Sequence, residues 1–284
     1  MPSAPSPSSS AQAARQALAD RLRAIREEAE LSAVELSARA GWHKSKTSRI
    51  EHGVQTASAA DIRVWCAACA AEGQVPDLLA ALRTAEGAYV EWRRLNRGGL
   101  ATLQGSYVPL YERTALMRSY QSHVVPGMLQ TAGYASALLA RIATFRGIPD
   151  DSEAAGEARV RRQRLLRSGK HRFAFLLEEA VLRQGVGGGQ VMAEQLGRLM
   201  EVATLPSVSV GVIPARADRP LWTLEGFTLY DDFQAHVELL SARVTLTAPG
   251  EIATYVKAFE ELSAMAVYGD AARALILRAL EGLP

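Results

Sequence analysis

The densest group of chemically capable side chains lies between two glycines, in "GWHKSKTSRIEHG" (41–53). Lys44, Lys46 and Arg49 alternate there with Ser45, Thr47 and Ser48, and one isoleucine, Ile50, falls near the end. Wound as a helix at about 100° per residue, the segment points Thr47 and Ile50 to one side, with Lys46 on their flank. Lys44, Ser45, Ser48, Arg49 and His52 share the opposite arc. Such an arc presents donors of two lengths, suited to phosphate oxygens and to the edges of guanine or adenine.

Other candidates for chemistry lack partners. Cys66 and Cys69 form "CAAC", but a metal clip needs two more ligands nearby. Redox work needs a strand-to-helix context, whereas "DIRVWCAACAA" reads as helix throughout, so both thiols are expected to be small buried residues. "GVGGGQ" (185–190) precedes a helix but has no Lys-Ser/Thr after it, so it reads as a turn rather than a phosphate loop. "HVE" (236–238) lacks the Pro-Cys-x-x-Cys segment of a zinc deaminase and reads as a half-buried strand. Glu178–Glu179 and Asp231–Asp232 are adjacent pairs at element ends, with no evident geometry for acid–base work. No serine sits in a nucleophile elbow. The expectation is a protein that is not an enzyme, with no metal and no cofactor.

The elements that must hold the polar arc are legible on either side of it. "RQALADRLRAIREEAE" places Leu18, Leu22, Ile25 and Ala29 at three- and four-residue steps, the stripe of a surface helix. Ser32 with Glu35 three residues on has the pattern of a capping box. A second helix is predicted from Ala33 to Ala40, burying Leu36 and Ala40, with Gly41 supplying the left-handed stop and Trp42 plugging the corner. The third helix runs from Lys44 to His52 and stops at Gly53. Two short helices across a glycine turn, the second polar outside, make a helix-turn-helix whose second member suits the major groove. "TASAADIRVWCAACAAEG" adds a fourth helix, with Ile62, Trp65, Cys66 and Cys69 inward. A long fifth begins at or just after Pro76 and runs through "EWRRLNRGG", where Tyr89 and Trp92 pack and Arg93, Arg94 and Arg97 form a solvated face.

Totals restrict the partners. Lys and Arg number 32 against 30 Asp and Glu, so a nucleic-acid surface must be local. No apolar run approaches the ~18 residues of a membrane span. The Pro/Ser/Ala-rich start, residues 1–14, has no signal-peptide layout and reads as a disordered tail. The expected compartment is the cytoplasm.

In "LSAVELSARAGWHKSKTSRIEHG" (31–53), the register LS-x-x-x-L…AG…SRIE-x-G resembles the Xre, or phage-repressor, class of regulators. The resemblance implies a lambda-repressor-like five-helix domain in which Lys44, Ser45 and Arg49 read bases. It implies backbone contacts from Lys46 and Ser48, with Ser32 and His52 beside them. Leu36, Ala40, Gly41, Trp42, Thr47 and Ile50 are the structural positions, and Arg26 with Glu51 matches an ion pair tying the first helix to the third. Three residues depart from the pattern: Ala33 stands where glutamine often touches a phosphate, Thr47 where an aliphatic residue is usual, and His43 where Ser or Thr often caps.

Beyond residue 107 the reading is a mixed α+β domain, with short strands at "FAFLL", "SVSVGVIP", "EGFTLYD" and "AHVELL". The basic stretch Arg159–Arg167 is expected to be solvated. The stretches "VVPGMLQTAGYA", "RVRRQRLL", "FLLEEAVLR", "GGGQVMAEQL", "GVIP", "EGFTLY" and "VELLSA" resemble the C-terminal domain of WhiJ-like or antitoxin-like actinobacterial regulators. That resemblance implies a transcription factor whose second domain governs association, frequently with a small neighbour-encoded partner protein. The expected layout is a tail (1–14), the DNA-binding domain (15–86), a connecting helix (87–106) and an association domain (107–284). The whole is mainly α, with a small sheet in the second domain. The expected partners are double-stranded operator DNA and a second copy of the chain, with no membrane. A repressor reading stands beside two alternatives: an antitoxin-like neutraliser of a small protein, and a sensor with a ligand pocket in residues 220–259.

Overall fold

The computed structural model of the chain describes residues 7–222, 225–247 and 249–284, and for 7–14, 80 and 83–89 it describes the backbone alone. The chain forms two compact units, one reaching to Val90 and taking in Ala242–Thr245, the other made of Glu91–Ser241 and Leu246–Pro284.

The first unit is built from α1 (Pro7–Glu28), α2 (Ala33–Ala40), α3 (Lys44–Glu51), α4 (Ala59–Ala68) and α5 (Val75–Ala88). The stripe along α1 is buried as its spacing predicts, with Leu18, Leu22 and Ile25 packed beside Leu36, Ile50, Ile62, Trp65 and Leu78. Trp65 is wholly enclosed and its indole N–H donates to the Leu22 carbonyl at 3.0 Å, so its one polar atom is satisfied. Cys66 and Cys69 are free and buried on the same side of α4, and burial pushes both thiols up. One boundary of this unit differs from expectation. Helix α1 begins at Pro7 rather than at residue 15, and residues 1–6 of the expected tail lie outside the described residues.

The expected fifth helix does not continue through "EWRRLNRGG". α5 stops at Ala88, β1 (Tyr89–Glu91) follows, and the chain then enters the second unit through α6 (Trp92–Leu95) and α7 (Gly99–Ser106). The cause is burial: Trp92 is enclosed and its indole N–H donates to the Leu239 carbonyl at 2.8 Å, which anchors this segment in the second unit. Tyr89, expected to pack beside it, has its side chain outside the described residues. Asp151 caps α7, accepting from the amides of Leu100 at 3.0 Å and Ala101 at 2.9 Å. Gly99 is required there, because its φ is +85° and a Cβ would meet an Asp151 oxygen at 2.6 Å.

In the second unit α8 (Val108–Arg113) leads into β2 (Leu116–Gln121). α9 (Ala132–Arg146) and α10 (Ser152–Arg161) precede β3 (Arg172–Glu178), and α11 (Gly189–Val202) precedes β4 (Val208–Ile213). β5 (Phe227–Tyr230) and β6 (Gln234–Glu238) form a hairpin; after β7 (Ala242–Leu246), most of which belongs to the first unit, α12 (Pro249–Met265) and α13 (Gly269–Glu281) complete the chain. Five strands of this unit lie in the order β6-β5-β2-β3-β4. β2 is the change-over: it pairs parallel with β3, Met117 against Phe173, and antiparallel with β5, Met117 against Tyr230. Helices fill the crossovers between the parallel strands, as that connection demands. The tight turn after β5 uses Asp231 at φ +47°, a conformation that aspartate tolerates. Its carboxylate accepts from the Leu116 amide at 2.7 Å and from the Ala115 amide at 3.1 Å, fixing the start of β2.

The mixed α+β architecture agrees with the sequence reading, and β3, β4, β5 and β6 lie where the four strands were expected. β2 and β7 were not anticipated. β2 carries Arg118, Ser119 and Gln121, which hide its period, yet Ser119 is buried with its hydroxyl 2.9 Å from that of Thr228. No helix among the described residues is long and apolar enough to cross a membrane.

Candidate nucleic-acid interface

Local signals set α2 and α3 in place. Ser32 accepts from the Glu35 amide at 3.2 Å while Glu35 accepts from the Ser32 amide at 2.8 Å, the reciprocal capping box. These bonds to Ser32 hold the Glu35 carboxyl below its ordinary range. The Ser32 hydroxyl is an acceptor in the cap, so its own proton remains to donate outward. α2 ends at Gly41, φ +69°, whose conformation turns the chain toward Trp42 and His43. His43 caps α3 in place of the usual hydroxyl: its Nδ1 accepts from the Ser45 amide at 3.3 Å. That makes Nδ1 the unprotonated ring nitrogen, and the Ser45 hydroxyl, 2.9 Å away, donates to it as well.

One side of α3 is sealed. Thr47, Ile50 and Glu51 are buried, and Leu36 of α2 is buried opposite them. Ala40 is only half-buried; its expected place is taken by Ser37, which is enclosed. Ser37 donates to the Ala33 carbonyl at 2.7 Å, so the 2.6 Å contact between Ser37 and Thr47 hydroxyls must carry the Thr47 proton. Thr47 in turn accepts from the Trp42 indole N–H at 2.9 Å. The result is a directed chain, Trp42 to Thr47 to Ser37 to the α2 backbone, in which every buried polar atom is paired. Thr47, which departs from the aliphatic pattern, is thus a hydrogen-bonded junction between α2, the turn and α3.

Glu51 is 4 % exposed and is met by Arg26, whose Nε lies 2.5 Å from Oε1 and whose Nη2 lies 3.2 Å from Oε2. The same guanidinium donates to the Leu31 carbonyl at 2.7 Å. Its hydrogen bond to Glu51 raises the Arg26 pKa further, against the opposing effect of burial. The ion pair expected from the sequence is therefore present, and it ties the end of α1 to the end of α3. Such a pair fixes geometry more than it adds stability.

Lys44, Ser45, Ser48, Arg49 and His52 are all exposed on the remaining arc. Arg49 is steadied by Gln55, with Nε 3.2 Å from the amide oxygen. The His52 Nδ1 donates to the Ser48 carbonyl at 2.7 Å, which ends the helix. Lys46 does not stand open beside these residues as expected for a phosphate contact. Its ammonium lies 2.5 Å from Asp61 and 4.4 Å from the centre of the Trp42 ring. Asp61 also caps α4 through Ser58, so Lys46 is a strut between α3 and α4. Burial pushes the Asp61 carboxyl up, but the bonds from Lys46 and Ser58 together outweigh it and hold it below its ordinary range. Sequence reasoning missed Ser37, Asp61 and Gln55; the spacing Ser58-x-x-Asp61 is itself a cap pattern that could have revealed one of them.

The second unit's acidic pairs are engaged structurally. Glu178 receives Arg219 through two nitrogens and the Tyr120 hydroxyl at 2.8 Å. Glu179 accepts from the Ala215 amide at 3.0 Å, and Asp232 pairs with Arg118. The basic stretch Arg159–Arg167 is not uniformly solvated. Arg161, Arg164 and Arg167 are exposed and paired with Glu157, Glu112 and Glu201. Arg162, by contrast, is 4 % exposed. The stretch is helical only to Arg161 and then tightens into a 3₁₀ turn, which swings Arg162 inward. Among the described residues no group of three or more His, Cys, Asp or Glu side chains could hold a metal ion.

Residues 17–82 match the family profile of a helix-turn-helix domain. Residues 105–278, more than half of the chain, match that of a domain of unknown function, DUF5753. No curated protein matches the chain.

Proposed function

Since the chain belongs to the DUF5753 family and carries a helix-turn-helix domain ahead of that region, we propose that it is a sequence-specific transcription regulator of the Xre type. The observation that carries this reading is the two-sided character of α3. Its inner face is sealed by Thr47, Ile50 and Glu51, while Lys44, Ser45, Ser48 and Arg49 are exposed together on the outer one. A short helix braced on one side and lined with donors on the other fits the major groove. In this reading Lys44, Ser45 and Arg49 contact base edges, and Ser48, Ser32 and His52 contact the DNA backbone.

A single eight-residue helix reaches three or four base pairs, too few to single out one site in a genome. Two-fold pairing follows, with recognition helices about 34 Å apart on related half-sites. The second domain governs that association, and the likeness to WhiJ-like or antitoxin-like regulators supports a small neighbour-encoded partner. Repression is the simpler outcome, because occupancy of a promoter needs no further contact. The protein acts in the cytoplasm and performs no catalytic step; the engagement of Glu178, Glu179 and Asp231 in structural bonds favours that view.

The test is to sequence genomic fragments retained by the purified protein, with and without the product of the adjacent gene. A shared, two-fold related motif, lost at one base position in Arg49→Ala, is the expected result. Retention of fragments without a common motif would overturn the reading.

A further inference from the structure

The second unit holds an open cleft of about 590 Å³, within the range of small-molecule sites. Among the described residues four arginines line it, Arg141, Arg146, Arg159 and Arg162, against one carboxylate, Glu238, which is exposed. Apolar side chains of the sheet, Met117, Phe175 and Phe227, are buried at its wall. Phe145 and Leu240 also border it, and they are 70 % and 79 % exposed.

Arg159 and Arg162 are unusual in how they are held. Among the described residues neither forms an ion pair. Both donate to the same neutral oxygen, Gln104 Oε1, each at 3.0 Å. Arg159 has one further bond, to Gln130 Oε1 at 2.7 Å, and Arg162 one to the Gln104 carbonyl at 3.3 Å. The ring centres of Tyr107 and Tyr111 lie 5.4 and 5.0 Å from the Arg162 guanidinium carbon. Among the described residues Arg162 Nε is buried with no acceptor, and the Nη2 nitrogens of both arginines have none either. Gly127 lies opposite, close enough that a Cβ there would come within 2.8 Å of Arg162 Nη2 and oblige that guanidinium to shift.

Two neighbouring guanidiniums, Arg162 buried and Arg159 half-buried, that share one amide oxygen are poorly compensated, because cations taken out of water are ordinarily paired with anions. Burial, and then the charge of Arg162, push the Arg159 guanidinium down to about 10. An oxyanion placed between them would offer two oxygens to the unused donors, in the bidentate manner that guanidinium favours. Its body would lie on the apolar wall and emerge past Phe145 and Leu240.

We propose that this cavity is a binding site for a small organic anion, a carboxylate, sulfonate or phosphate ester on a planar apolar body, with Arg159 and Arg162 as its anchors. The site stands on its own geometry and does not depend on the DNA-binding reading.

The probe is 1-anilinonaphthalene-8-sulfonate, titrated by fluorescence into the full-length chain with no DNA present, beside its uncharged relative N-phenyl-1-naphthylamine. The expected result is saturable one-to-one binding of the sulfonate, at least tenfold tighter than the neutral compound. Arg159→Gln and Arg162→Lys should each weaken the sulfonate by tenfold or more and leave the neutral compound unchanged. Equal affinity of wild-type protein for the two compounds would overturn the proposal, and so would folded variants that keep the preference. The comparison on wild-type protein decides the matter even if Arg162→Lys does not fold. With DNA absent, the outcome bears on the cavity alone, while failure of the regulator reading would appear only in the fragment selection.

Discussion

Arg49 and Lys46 are cations three residues apart on one short helix, yet they face different partners. Arg49 is exposed and steadied only by Gln55, so Arg49→Ala should cost ~1–3 kcal/mol on a selected operator and relax preference at one base position. Fluorescence anisotropy on the operator and its single-base variants measures both. Lys46 is bound to Asp61, so its removal should act first on stability. That pair is partly exposed, and Asp61→Asn should destabilise the folded chain by about 0.5–1 kcal/mol near neutral pH. The Asp61 carboxyl lies lower in the folded protein than in the unfolded chain, where it titrates near about 3.9. Its contribution is therefore complete above that value and is lost as pH falls through the folded one. Urea melts at pH 6 and pH 3 should show the gap between wild type and Asp61→Asn closing on the acid side. Thr47→Val should cost about 1–3 kcal/mol, because it leaves the Trp42 indole and the Ser37 hydroxyl short of a partner in the interior. The outer arc was legible from periodicity alone. The direction of Lys46 was not, since a flank position can turn either way and the deciding carboxylate lies on another helix.

Among elements, α2 and α3 were readable nearly to the residue because their ends are written in local chemistry. Ser32, Glu35 and Gly41 each act within four residues of themselves. Ser32→Ala should cost ~1 kcal/mol through loss of the cap. Gly41→Ala meets no atom within 4 Å, so its cost, about 1–2 kcal/mol, should arise from the left-handed backbone alone. Thermal melts of the two variants check both values, and Gly41→Asn, which tolerates that conformation better, should recover part of the loss. The fifth helix was misjudged because its apolar period continues past Ala88, where burial of Trp92 in the second unit overrides it. Strand β2 escaped notice for the converse reason: Arg118 and Ser119 find partners more than a hundred residues away, on β5 and its turn.

For the molecule as a whole, 32 basic and 30 acidic residues leave almost no net field to draw it to nucleic acid. Operator binding should therefore depend on few phosphates, each contributing about −0.9 to the slope of log affinity against log salt. Loss of a phosphate-contacting residue such as Ser48 should change that slope little, because a hydroxyl displaces no cation, whereas Lys44→Ala should flatten it if its ammonium also reaches a phosphate. Titrations between 50 and 200 mM salt, roughly the span over which such slopes are resolved, separate the two. The position of β2 between a parallel and an antiparallel neighbour also sets a timetable for synthesis. Its β5 partner emerges from the ribosome about ten seconds later, at roughly 10 residues per second. Throughout that interval one edge of β2 is without its mate, and an apolar strand so placed would invite pairing with a neighbouring nascent chain. Arg118, Ser119 and Gln121 make it a poor template for such errors, so the residues that disguise this strand also guard it while it waits.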